Sequence, residues 1–240
     1  MAVRVLLVHT HPVADSFVAA MRDVFVEEFT AQGAEIHVSD LYKQNFDPVL
    51  SAADFKAPAD PDRLVIGLEQ RRGFADGTLA DDIAAEVEQV LAADVIVFTF
   101  PLFWYGPPAM LKGWIERVFL SGPIYGGKRV YGRGGLAGKH ALVAFSLGGR
   151  PHMFGPGALH GELETGMLRH FLQGTLGYAG LTVHRPFVAY HVPYVGDDDR
   201  RAMLDELRDY VRNWRTQEVM PMPDLDNYDA TFAPRGEAKP

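Results

Sequence analysis

The chain has no cysteine among its 240 residues. That absence excludes disulfides, thiolate nucleophiles, thiolate metal ligands and iron–sulfur clusters together, so redox chemistry has to use a borrowed cofactor. Long apolar runs are missing as well. None approaches the roughly 18 residues of a membrane span, and the opening MAVRVLLVHTHP reaches its histidines and Pro12 too soon for a secretory leader. A soluble, cytoplasmic protein without membrane insertion is expected. Positive charge is in deficit: 23 Lys and Arg stand against 31 Asp and Glu, a net charge of −8. This balance disfavours nucleic acid and anionic lipid surfaces as partners. No metal-ligand spacing such as HExxH and no GxSxG nucleophile elbow occurs, so no metal site is expected.

What is present is an alternation of two periodicities. A short, almost wholly apolar run over 3–8 reads as a strand buried on both faces, and further strands are expected over 34–40, 94–100, 141–147 and 181–192. Between them, apolar residues recur at three- and four-residue spacing. Phe17, Ala20, Met21, Val24, Phe25 and Phe29 follow the possible N-cap Asp15-Ser16 and stop at Gly33. Further helices are expected over 81–93, 107–120, 162–178 and 198–214. Five strands alternating with five helices predict a doubly wound parallel sheet with right-handed crossovers. Ligands of such sheets sit beyond the carboxyl ends of the strands.

Three segments depart from a minimal fold of this kind. Residues 42–80 form a connection longer than the usual few residues and read as an extended arm or insertion. The glycine-rich stretch 121–138 is a candidate lid. Residues 216–240, with Pro221, Pro223, Pro234 and Pro240, read as an extended tail after a domain over 1–215.

The loops expected at three strand ends carry the informative residues. In the first, His9-Thr10-His11-Pro12-Val13-Ala14-Asp15-Ser16-Phe17, a helix N-terminus follows a strand and offers free N–H groups to a phosphate, with His11 and Ser16 as side-chain donors. Neither GxGxxG nor a P-loop is present there. The same residues also suit a plain helix cap. In the second, Pro101, Leu102, Phe103, Trp104 and Tyr105 place consecutive aromatics after the central strand, a shelf for a planar ligand or a cover for the sheet edge. In the third, Gly148-Gly149 lets the backbone approach a flat ligand and face negative charge. His160 follows as a titratable group that suits either a catalytic or a structural role. A phosphate cradle, an aromatic shelf and a glycine wall together suit a flavin.

The segment FPLFWYGPPAMLKGWIERVF (100–119), supported by SDLYKQNFDPVLSAADF (39–55), LAADVIVFTFPL (91–102) and GGRPHMFGPGALHGE (148–162), resembles the NAD(P)H:quinone oxidoreductase (DT-diaphorase) family. The resemblance runs from residue 5 to about 214. It implies a flavodoxin-like α/β fold: a doubly wound five-stranded parallel sheet in the order 2-1-3-4-5 with helices on both faces, bearing FAD rather than FMN. On this resemblance His11, Ser16, Phe17 and Val18 match the pyrophosphate turn, where Val18 replaces a frequent Asn. Pro101, Leu102, Phe103, Trp104 and Tyr105 match the segment along the isoalloxazine. Leu147, Gly148 and Gly149 match its pyrimidine end, and Arg200 a residue near the adenosine.

The resemblance further implies a homodimer with shared sites, in which Trp104, Tyr105, Gly149, Tyr125, Tyr178 and Tyr194 line the substrate space. The reaction implied is ping-pong: NADH or NADPH delivers hydride and leaves, then a quinone collects both electrons. His160 matches the family's catalytic His, but the Tyr that pairs with it is Phe154 here. Two alternatives come with the resemblance: a flavin-bearing regulatory subunit of a potassium-efflux transporter, and an FMN-dependent azo- or nitroreductase.

Overall fold

The computed structural model of the chain describes residues 2–60 and 62–236. β1 (Arg4–His9), β2 (Glu35–Asp40), β3 (Val95–Pro101) and β4 (His140–Ser146) form a parallel sheet in the order β2-β1-β3-β4. Alternate side chains of β1 enter two different cores. Val5 and Leu7 pack with α1 (Phe17–Ala31) and α6 (Asp197–Arg212), while Leu6 and Val8 pack with α3 (Asp81–Ala92) and α4 (Ala109–Val118). Burial on both faces is why β1, β3 and β4 read as apolar runs; β2, at the sheet edge, departs from that expectation, with Ser39 its one buried residue.

The single strand expected over 181–192 is two. β5 (Thr182–Val183) pairs with His140 and Ala141, and β6 (Phe187–Ala189) pairs with Ala144, Phe145 and Ser146. One more residue lies between Val183 and Phe187 than between Ala141 and Ala144, so the chain bulges, and Pro186 at the break has no N–H to lose. The tail covers this part of the edge: Met220 N–H donates to Val183 O at 2.9 Å, and Arg185 N–H to Glu218 O at 2.7 Å. The fifth position of the flavodoxin-like sheet is thus shared by two short strands. The last four residues of the tail lie outside the described residues.

The helix expected over 162–178 also differs. π-helical turns at Leu163–Met167 and Leu172–Gly177 flank one α turn, α5 (Arg169–Phe171). Their i→i+5 bonds include Leu168 N–H to Leu163 O at 2.8 Å and Tyr178 N–H to Gln173 O at 2.9 Å. Such widened turns gather at functional sites.

The long connection contains a helix the periodicity does not reveal, α2 (Ile66–Asp76), which ends on Gly77 in the left-handed region. The connection is tied to α4. Buried Arg117 donates to both carboxylate oxygens of buried Asp54 (3.1–3.2 Å), to Asp82 (2.7 Å) and to Asp47 O (2.8 Å). Gly113 lets the backbone of Pro48 approach so closely that an added Cβ would lie 2.1 Å from Pro48 O. Glu86, buried on α3, accepts from Ser39, Gln44 and Trp114 and links β2 to α4.

Candidate active site

β1, β3 and β4 are neighbours in the sheet, so the loops that leave their carboxyl ends lie side by side. Thr10 N–H donates to Thr99 O (2.9 Å), and Leu102 N–H to Ser146 O (2.8 Å), which extends the pairing past the named strands. His9 shares a 2.9 Å hydrogen bond with Thr99 through Nδ1, and burial lowers its pKa to about 4, so the ring is neutral at neutral pH.

In the first loop Ser16 is the N-cap of α1 and its hydroxyl oxygen accepts from Ala19 N–H (3.1 Å). The N–H groups of Phe17 and Val18 precede the first intrahelical acceptor and remain available to an anion. Nδ1 of His11 is engaged by the backbone of Val13, at 3.0 Å to N–H and 3.1 Å to C=O, leaving Nε2 outward. Both residues cap the turn and still present a donor.

The second loop is a two-residue reversal. Phe103 and Gly106 exchange backbone hydrogen bonds at 3.1 and 3.0 Å, and Trp104 and Tyr105 between them have φ of 50° and 58°. Left-handed φ at two consecutive bulky residues costs about 1–2 kcal/mol each. Trp104 is nevertheless 100% exposed, so no burial of its indole offsets that cost.

The third loop brings Phe154 and His160 to this turn. Ring centroids lie 5.4 Å apart for Tyr105 and His160, 6.2 Å for Tyr105 and Phe154, and 5.3 Å for Phe154 and His160. Phe154 rests on Gly149, where an added Cβ would meet its ring at 2.8–2.9 Å. The close approach allowed by Gly149 is therefore to Phe154 on that side. An added Cβ at Gly148 would meet Tyr194 at an ordinary 3.5 Å, and His191, tilted against Tyr194 with ring centroids 4.9 Å apart, contacts Gly148 O through Nδ1 at 2.8 Å. Arg200 Nη2 donates to Val192 O (3.2 Å), and Val192 N–H donates to Leu147 O (3.2 Å), so Arg200 adjoins this loop; its Nε is buried without a partner.

Within one chain Tyr125 and Tyr178 do not join this cluster. Their rings meet at a tilt, centroids 6.0 Å apart, beside a cavity of about 320 Å³ between α2, α4 and the 172–177 turns, with Tyr131 packed edge-on against Tyr178 at 5.6 Å. Burial, and then the neighbouring Tyr125 and Tyr131, raise the pKa of Tyr178. Two residues escaped the sequence reading. Tyr190 backs Phe154 at 6.0 Å, its pKa raised chiefly by burial, and Thr10 has a buried hydroxyl without a hydrogen-bond partner. Thr10 stands in the quoted first loop; nothing in the spacing marks Tyr190, which the bulge at Pro186 brings into place.

The donor set, helix N–H groups and His11 on the first loop and Arg200 beside the third, with an exposed indole on the second loop, fits a planar cofactor with an anionic tail. A family model described as flavodoxin-like fold matches residues 3–213. Mouse ribosyldihydronicotinamide dehydrogenase [quinone] is 32% identical over 222 residues, 90% of this chain and 94% of the mouse protein. Rat NAD(P)H dehydrogenase [quinone] 1 is 35% identical over 203 residues, 84% of this chain and 74% of the rat protein. A solved Klebsiella pneumoniae protein described as a quinone reductase superposes with a TM-score of 0.91 at 28% identity, covering 98% of this chain and 94% of that one. The NAD(P)H:quinone oxidoreductase of Methanothermobacter marburgensis gives 0.71 at 25% identity, covering 91% and 100%. The chain belongs to the NAD(P)H:quinone oxidoreductase family of flavodoxin-like proteins.

Proposed function

We propose that the protein, an oxidoreductase by family, reduces quinones in the cytoplasm with NADH or NADPH through bound FAD in a ping-pong cycle. The observation that carries this reading is the Trp104–Tyr105 turn. A wholly exposed indole on a backbone that costs energy has no folding purpose, and a planar ring stacked on it supplies one.

In this reading His11, Ser16, Phe17 and Val18 hold the pyrophosphate, and residues 101–105 lie along the flavin ring. Leu147, Gly148 and Gly149 border the pyrimidine end, and Arg200 reaches toward the adenosine. When bound, the flavin supplies two-electron acceptance and release, chemistry no side chain of a cysteine-free protein provides. The chain's own residues do the remaining work. Trp104, Tyr105, Gly149 and Tyr194 frame the space that nicotinamide and quinone occupy in turn. His160 holds a proton beside that space, and Phe154, lacking a hydroxyl, packs. Tyr125 and Tyr178 stand apart from the cluster within one chain, so their part in the substrate pocket falls to a homodimer.

The test is chromatography of the released cofactor together with steady-state kinetics. NADH, NADPH and dihydronicotinamide riboside, the last suggested by the mouse relative's name, are each offered with a benzoquinone, a naphthoquinone and an azo dye. FAD, quinone turnover and parallel double-reciprocal lines are expected. FMN alone would overturn the cofactor assignment. A colourless protein without turnover would overturn the enzymatic reading.

A further inference from the structure

The Tyr105 ring lies 5.4 Å from His160 and the Phe154 ring lies 5.3 Å from it, so His160 is packed by one aromatic from the second loop and one from the third. Only Tyr105 of these two carries a hydroxyl. Among the described residues neither that hydroxyl nor either ring nitrogen of His160 has a hydrogen-bond partner, although the backbone of each residue is held in place. The Phe103–Gly106 reversal closes around Tyr105, and the backbone N–H of His160 donates to Met153 O at 3.0 Å.

We propose that Tyr105 is the positioning residue for His160: its phenol oxygen accepts from the imidazolium N–H and so keeps a proton beside the substrate space. This rests on the quinone-reductase reading. Reduction of a quinone to its hydroquinone takes two electrons and two protons. Hydride brings both electrons and one proton, leaving oxidised nicotinamide, and the second proton must come from an acid. His160 supplies it to a quinone oxygen and is reprotonated from water. Tyr105 supplies no proton to the balance; it holds the ring.

The other titratable groups around the ring do not fill this role. Arg150 and His152 stand on the same loop, but among the described residues no hydrogen bond joins either to His160. Glu162, two residues on, accepts from the Thr165 hydroxyl through one carboxylate oxygen and makes no hydrogen bond to the ring. Tyr190 packs on Phe154 instead.

The test exploits the symmetry of the two rings. In the full-length protein as purified, with histidines isotopically labelled, the His160 midpoint is followed by NMR in wild type, Tyr105→Phe and the double variant Tyr105→Phe/Phe154→Tyr. Tyr105→Phe is expected to lower the midpoint by about half a unit or more, and the double variant to restore most of it. In stopped flow, the quinone half-reaction should slow by about tenfold in Tyr105→Phe and recover in the double variant, with its alkaline limb, where His160 loses its proton, moving in parallel. An unmoved midpoint in Tyr105→Phe overturns the proposal, as does a double variant that recovers neither midpoint nor rate. A wild type that turns over no quinone would sink the quinone-reductase reading instead. The NMR comparison would still decide the Tyr105–His160 pairing.

Discussion

Phe103 and Gly106 hydrogen-bond to each other in both directions across Trp104 and Tyr105, and that closure holds two aromatics in the left-handed region. Turns of this kind favour Asn and Gly, and Trp104 gains nothing from burial. Trp104→Asn should therefore melt at or above the wild-type midpoint, each kcal/mol of relieved strain giving roughly 2–4 °C in a chain of this size. Quinone turnover and cofactor retention should fall by about tenfold or more. A variant that melts earlier and keeps its turnover would show the turn to be structural.

The two glycines of the third loop make opposite demands. A methyl at 149 would overlap the Phe154 ring at 2.8–2.9 Å and Leu147 at 3.1 Å, whereas a methyl at 148 meets only Tyr194 at 3.5 Å. Gly149→Ala should destabilise by about 1–3 kcal/mol in urea unfolding and lower turnover by displacing Phe154 from His160. Gly148→Ala should stay within about 0.5 kcal/mol of wild type. Trimming the ring in Gly149→Ala/Phe154→Leu should recover part of the lost stability. No recovery would mean that Phe154 is not what the methyl meets.

The strands of the sheet were readable because β1, β3 and β4 are apolar on both faces, a pattern only a covered parallel sheet requires. α2 was not: its N-cap is Val65, which has no capping side chain, and it contains Gly67 and Gly73, so neither cap nor periodicity marks it. Gly73 is there because α2 packs on Leu79, whose methyl would be 2.8 Å from an added Cβ, a tertiary reason invisible locally. The break at Pro186 was visible as a residue but not as a bulge, because the extra residue is defined only against β4. In the site, the aromatic run of the second loop announced itself by composition. The left-handed backbone of Trp104 and Tyr105 did not, since both are poor residues for it. The stacking of Phe154 on Gly149 likewise depends on two residues that sequence spacing cannot join.

Arg117 holds the 42–80 connection to α4 through charge buried on both sides, its own side chain and Asp54 both being almost wholly covered. Arg117→Ala leaves Asp54 a buried carboxylate without a cation, which costs about 3–5 kcal/mol. Arg117→Lys keeps the charge but cannot reach Asp54, Asp82 and Asp47 O together, and should cost less than Ala yet clearly more than a surface change. The double variant Arg117→Met/Asp54→Leu removes both charges and should be more stable than Arg117→Ala. Urea unfolding ranks the three, and a double variant no better than Arg117→Ala would refute the assignment of the loss to Asp54.

Burial lowers the pKa of His9 to about 4, and lowers those of His140 and His184, which share a 3.0 Å contact against Trp214. In the unfolded chain a histidine titrates near 6.5. Each folded value lies below the unfolded one, so as pH falls the unfolded state takes up protons first. The stabilisation from a neutral buried ring is therefore complete above about pH 6.5 and is lost as pH drops toward the folded value. For His9 the loss reaches on the order of 3 kcal/mol by pH 4. Unfolding free energy in urea should decline steadily from pH 7.5 to pH 5. His9→Asn keeps a polar partner for Thr99 but does not titrate. Its decline between pH 6 and 5 should be shallower by close to one proton, about 1.4 kcal/mol per pH unit. A slope as steep as that of wild type would mean that His9 accepts its proton as readily in the folded protein as in the unfolded chain.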